Sequence, residues 1–111
     1  SNVIIESSEQ EFLTRILQLI EENISNTDYN VNQFAAEVGM STPIFYKKVK
    51  ALTGLTVNNF IKSIKLKRAV QLLQQKTYNV SEVAYMVGFT DPKYFSKEFN
   101  KQYGTTPSKF I

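Results

Sequence analysis

Apolar positions fall at helical spacing along this chain, and turn residues break them into short segments. The clearest stretch is Val80 to Pro107, VSEVAYMVGFTDPKYFSKEFNKQYGTTP. Val83, Ala84 and Val87 form one apolar helical face, with Ser81 as the expected N-cap. Gly88 follows, where a helix ends in a positive-φ conformation. Asp91 then reads as a second N-cap and Pro92 as the first residue of the next helix. Phe95 and Phe99 share one face of that helix, and Lys93, Ser96, Lys97 and Asn100 lie toward the other. Gly104 ends it. The pattern predicts a helix-turn-helix whose polar, basic second helix suits a DNA groove.

The chain carries this pattern twice. Val31–Gly39 (VNQFAAEVG) matches Val80–Gly88 (VSEVAYMVG) at constant offset, sharing Val31/Val80, Ala35/Ala84, Val38/Val87 and Gly39/Gly88. One extra residue enters the second turn. Beyond it Ser41 falls on Asp91, Phe45 on Phe95, Lys47 on Lys97, Gly54 on Gly104, Thr56 on Thr106 and Phe60 on Phe110. A shared packing need explains the recurring glycines and phenylalanines, but not the recurring lysine.

The remaining segments fit around these two hairpins. A helix is expected from about Ser8 to Ser25, with Phe12, Leu13, Ile16, Leu17, Ile20 and Ile24 as its apolar stripe. Glu9, Glu11, Glu21 and Glu22 face outward, a surface that phosphates would repel. Asn26–Asn30 has turn composition. In the first hairpin's second helix, Phe45, Val49 and Leu52 point inward, and Thr42, Pro43, Tyr46, Lys47 and Lys50 point out. Tyr46 there suits groove contact, through its hydroxyl or against a thymine methyl.

The longest helix is expected from Thr56 to about Gln75. Its apolar face changes sides midway, from Val57, Phe60, Ile61 and Ile64 to Leu66, Ala69, Val70 and Leu73. Two different bodies must bury such a helix, so it connects the hairpins. About twenty residues at 1.5 Å each span roughly 30 Å. That is close to one turn of B-DNA, roughly 34 Å, so the two second helices can reach successive major grooves. Lys62, Lys65, Lys67, Arg68 and Lys76 fit phosphate neighbours or ordinary solvation. Thr106-Pro107 opens a short final helix.

Composition narrows the function. The chain has no Cys and no His, which removes thiol chemistry, disulfides and the usual zinc ligand sets. No apolar run reaches membrane-spanning length, and no metal or cofactor is expected. The formal charge of +3 is unevenly divided: residues 1–30 carry one basic and six acidic side chains, net −5, and residues 31–111 carry twelve basic and four acidic, net +8. An electropositive body joined to an acidic lead-in segment is expected to meet a polyanion.

Residues 80–110 carry A-x-x-x-G-F (Ala84, Gly88, Phe89), Y-F-S-K-x-F (Tyr94 to Phe99) and G-T-T-P (Gly104 to Pro107). This long signature resembles AraC/XylS-type transcription regulators, and the resemblance covers nearly the whole chain. It implies an all-α domain of about seven helices, with two helix-turn-helix units, residues 31–54 and 80–104, joined by a connector over 56–75. Residues 1–7 then read as a linker or tag remnant, and residues 8–111 as the domain. Carried over position by position, Pro43, Tyr46 and Lys47 of the first unit and Pro92, Lys93, Ser96 and Lys97 of the second face the bases. Lys50 and Asn100 fit backbone contacts, and Thr42 lies on the same outward face. The family often has arginine at Lys47, Lys97 and Lys65; lysine lacks arginine's planar bidentate fork to guanine.

The partners implied are double-stranded DNA and RNA polymerase, with the isolated domain monomeric and a parent protein able to dimerise. The location implied is cytoplasmic, at the nucleoid. An acidic first helix behind a short linker resembles the output domain of hybrid two-component sensor-regulators, whose parent would be membrane-anchored. The competing class is a helical protein-interaction module, which predicts apolar outward faces on the second helices; these are mostly polar or basic. An enzyme is disfavoured by the lack of His, Cys, a phosphate-binding glycine loop or clustered carboxylates. Duplex RNA is disfavoured because its deep, narrow major groove admits no helix.

Overall fold

The computed structural model describes residues 7–111; residues 1–6, with most of the expected linker, lie outside the described residues. Six α-helices follow in order: α1 (Ser7–Glu22), α2 (Val31–Glu37), α3 (Thr42–Thr53), α4 (Val57–Gln74), α5 (Val80–Met86) and α6 (Pro92–Tyr103). The expected final helix is a single 3₁₀ turn, Pro107–Phe110. Among the described residues there is no strand.

Local chemistry sets most of the boundaries. α2 and α5 both open on a capping box. Asn30 accepts from Gln33 N and Gln33 reaches back to Asn30 N; Asn79 and Glu82 do the same. Ser81 is therefore not the cap of α5. Asn79 has a glutamate three residues on and Ser81 has only Ala84, so the reciprocal bond forms two residues earlier. Ser41 precedes α3 but makes no side-chain cap bond, since Pro43 lacks one of the N–H groups a cap would bind. Asp91 caps α6 as expected, accepting from Lys93 N at 3.0 Å. Thr56 caps α4 through Asn59 N. Gly39, Gly54, Gly88 and Gly104 all take positive φ.

α1 ends at Glu22, three residues before the expected Ser25. Its buried stripe is Phe12, Ile16, Leu19 and Ile20. Leu17 is 41% exposed, because it lies about 100° round the helix from Ile16, whereas Leu19 lies only about 60° away. Ile24 lies beyond the helix end and packs against the far core.

Two apolar cores form, one on each half of α4. The first joins Phe12, Ile16, Leu19 and Ile20 with Phe34, Ala35, Phe45, Val49 and Val57. The second joins Leu66, Ala69, Leu72 and Leu73 with Val83, Ala84, Val87, Phe89, Phe95 and Phe99. Phe60, Ile61 and Ile64 pack on the first core and Val70 on the second, so the change of face along α4 is real. The described residues form a slab of 39 × 38 × 21 Å.

The duplication extends further than the sequence pattern indicates. Tyr29-Asn30 before α2 matches Tyr78-Asn79 before α5, with the same capping box. Each unit is thus three helices, α1-α2-α3 and α4-α5-α6, with α4 doubling as connector and as first helix of the second unit. The halves meet at Gly88. An added Cβ there would lie 2.1 Å from the carbonyl oxygen of Ile24 and 3.0 Å from Lys65 Nζ; at Gly39, Gly54 and Gly104 it would meet nothing within 4 Å. Ion pairs Arg15–Glu37 (3.5 Å) and Arg68–Glu21 (3.4 Å) tie α1 to α2 and α4.

Candidate nucleic-acid interface

α3 and α6 are the second helices of the two units, and each buries one face and exposes another. In α3, Phe45 and Val49 are buried. Pro43, Tyr46, Lys47 and Lys50 are exposed, Tyr46 to 39%. Thr42 is half-buried and its hydroxyl donates to Asn32 Oδ1 at 2.7 Å, pinning the start of α3 to α2. Lys50 Nζ donates to the carbonyl of Gly54 at 3.0 Å, so it covers its own helix end. Lys48 lies over the Phe12 ring at 4.6 Å and anchors α3 to α1.

In α6, Phe95 and Phe99 are buried within a chain of aromatic contacts running from Phe89 to Phe110. Lys93, Lys97 and Asn100 are exposed; Pro92 and Ser96 are half-buried at the edge of the same face. Seven of the ten residues identified from the sequence are thus exposed on α3 and α6, and Thr42, Pro92 and Ser96 are half-buried, Thr42 turned toward α2. Each helix also carries one exposed apolar side chain at the matching position, Ile44 (52%) and Tyr94 (48%).

Neither helix presents an acid on its outward face. α3 contains none, and the single acid of α6, Glu98, is buried. Glu98 Oε1 accepts from Lys62 Nζ at 2.6 Å, and Oε2 lies 3.3 Å from Lys101 Nζ. The hydrogen bond from Lys62, followed by that from Lys101, holds the Glu98 carboxyl below the usual carboxylate range. The same bond raises Lys62. Sequence reading missed Glu98 altogether. Its signal was an acid on the lysine-rich helix, one residue from the buried Phe99.

The five connector cations also divide. Lys62 is committed to Glu98, and Arg68 to Glu21 and Gln71. Lys65 is half-buried beside Gly88, and desolvation lowers its pKa. Lys67 and Lys76 are exposed, Lys76 in a positive-φ conformation (59°). Among the described residues no group of His, Cys, Asp and Glu could hold a metal ion, and no helix is long and apolar enough to cross a membrane.

The chain matches a helix-turn-helix domain family over residues 34–111. It belongs to the AraC-type helix-turn-helix family. Among solved AraC-type structures, a transcriptional regulator from Chromobacterium violaceum superposes with a TM-score of 0.85 at 26% identity, covering 95% of this chain and 93% of that one. The DNA-binding domain of AdpA, a global transcriptional factor solved with a target DNA, gives 0.79 at 26% identity over 88% of this chain and 87% of that one. Histidine kinase P4 of Formosa agariphila is 41% identical over 99% of this chain. The chain spans only 8% of that kinase's length, and less than half that of several transcription regulators among its relatives.

Proposed function

We propose that this AraC-type domain binds an asymmetric double-stranded DNA site as a single copy, with α3 and α6 in successive major grooves. The observation that carries this reading is the pair of outward faces. Both hold lysines and short polar groups, and the acid that would oppose phosphates is turned inward and neutralised. Tyr46, Lys47, Lys93, Ser96 and Lys97 face the bases, with Thr42, Pro43 and Pro92 shaping the helix starts between them. Lys50 and Asn100 lie beside the phosphates. The connector α4, 18 residues long and so about 27 Å at 1.5 Å per residue, is of the order of one duplex turn, about 34 Å.

The likeness to Histidine kinase P4 supports a parent of the hybrid two-component type, in which this domain is the cytoplasmic output module and RNA polymerase is a further partner. Two unequal units on one chain have no two-fold axis between them, so the site needs no palindrome. Hydroxyl-radical footprinting on a site selected from random duplex pools, with stoichiometry by analytical ultracentrifugation, tests the reading. One protein per site with two protected patches about 10 base pairs apart is expected. Two-fold binding to a short palindrome, with one protected groove per chain, would refute it.

A further inference from the structure

The two units are built alike but held differently. In the first, the position on α3 that corresponds to Glu98 is Lys48, whose ammonium stacks on Phe12 of α1. In the second, the buried Glu98 pairs with the half-buried Lys62 of α4, and this pair spans 36 residues of chain. The twin shows that a unit of this shape folds without a buried acid. Lys62 also lies between Ile61 and Ile64, on the half of α4 that packs on the first core. Its bond to Glu98 therefore ties the second unit's exposed helix to the first unit's half of the connector. Gln102, one turn beyond Glu98, extends the same seam with an amide donating to the carbonyl of Ser63 at 3.4 Å.

We propose that Glu98, held between Lys62 and Lys101, is a positioning residue that fixes the angle and separation of α6 relative to α3, and so sets which spacing of contact zones along DNA the domain accepts. The inference rests on the two-groove reading above. A hydrogen-bonded ion pair at 2.6 Å is directional, so it adds an orientation of α6 on α4 to the non-directional apolar contact between them. Removing Glu98 frees both ammonium groups, and removing Lys62 leaves the buried carboxylate with Lys101 of its own helix alone, so in either case α6 loses this tie to α4.

The test compares the 111-residue chain with Glu98→Gln, Lys62→Gln and Lys62→Arg. The duplexes hold the selected site with its two contact zones at native spacing and at one base pair less or more. Wild type is expected to lose about tenfold in affinity at either altered spacing, the scale of one disrupted base contact. Glu98→Gln and Lys62→Gln are expected to flatten that preference to within about threefold, or to move its optimum, with unchanged affinity for random duplex. Lys62→Arg keeps the charge and restores the preference. If Glu98→Gln does not fold, Lys62→Gln, which leaves Glu98 its Lys101 partner, decides alone. Variants that keep the wild-type spacing profile, or lose affinity equally on every duplex, overturn the role of Glu98. A wild type indifferent to spacing would instead refute the two-groove reading, and this role with it.

Discussion

Gly88→Ala separates what a turn demands of its backbone from what the joint between the units demands. The reference is Gly39→Ala, the matching position of the first unit. Both glycines have positive φ, +70° and +87°. An L-residue in that conformation costs about 1–2 kcal/mol. Losing unfolded-state freedom offsets about 0.4–1 kcal/mol of it, which leaves a net penalty of about 1 kcal/mol at Gly39. At Gly88 the new methyl would also lie 2.1 Å from the Ile24 carbonyl oxygen, where ordinary contact begins at 3.4 Å. The shift needed is 3.4 minus 2.1, or 1.3 Å, and the obstacle is backbone, which cannot rotate aside as a side chain does. Overpacking of this kind adds about 1–3 kcal/mol, for a total of about 2–4 kcal/mol. Since 1 kcal/mol moves Tm by about 4–8 °C in a domain of this size, Gly39→Ala should lower Tm by about 5 °C and Gly88→Ala by about 10–25 °C. Thermal melts followed by circular dichroism, checked for a single cooperative transition, supply the comparison. Equal depressions at the two sites would refute the reasoning, because they would mean that the close approach to Ile24 costs nothing.

Three further outcomes are expected. If about six phosphates are neutralised, log affinity for duplex should fall with log salt at a slope near −5, and titrations at several ionic strengths that give a slope near zero would exclude this. Lys47→Ala and Lys97→Ala should weaken the selected site more than random DNA, while Lys76→Ala weakens both alike; equal losses for all three would remove the assigned roles. Glu98 has a lowered pKa, so its stabilisation is present above the unfolded carboxylate value and is lost as pH falls through the folded one. The Tm gap between wild type and Glu98→Gln should therefore stay constant above roughly pH 6 and shrink in acid. A gap that widens in acid would contradict the sign.

The fold was legible because its determinants are local and periodic. Positive-φ glycines, Asp91-Pro92 and the change of apolar face along α4 each reflect one physical constraint that appears directly in residue order. The exposed faces of α3 and α6 followed from the same periodicity. What could not be read depends on contacts between distant segments. Lys62 looks like any other connector lysine until α6 brings Glu98 to it. Leu17 and Leu19 are chemically identical, and only the position of the core around Ile16 decides which is buried. Ser81 and Asn79 both qualify as caps by type, and the reciprocal bond to Glu82 selected between them. Ile24 belongs to the first helix in sequence and to the second core in space.

The contact of Gly88 with Ile24 has a mechanical consequence. Most helix ends meet their neighbours through side chains, which absorb small displacements by changing rotamer. Here two main chains touch with nothing compressible between them. The segment just past α1 is therefore braced main chain against main chain on the bend between α5 and α6, while α1 itself stays packed on α3 through Phe12, so any shift of α1 is felt by both units at once.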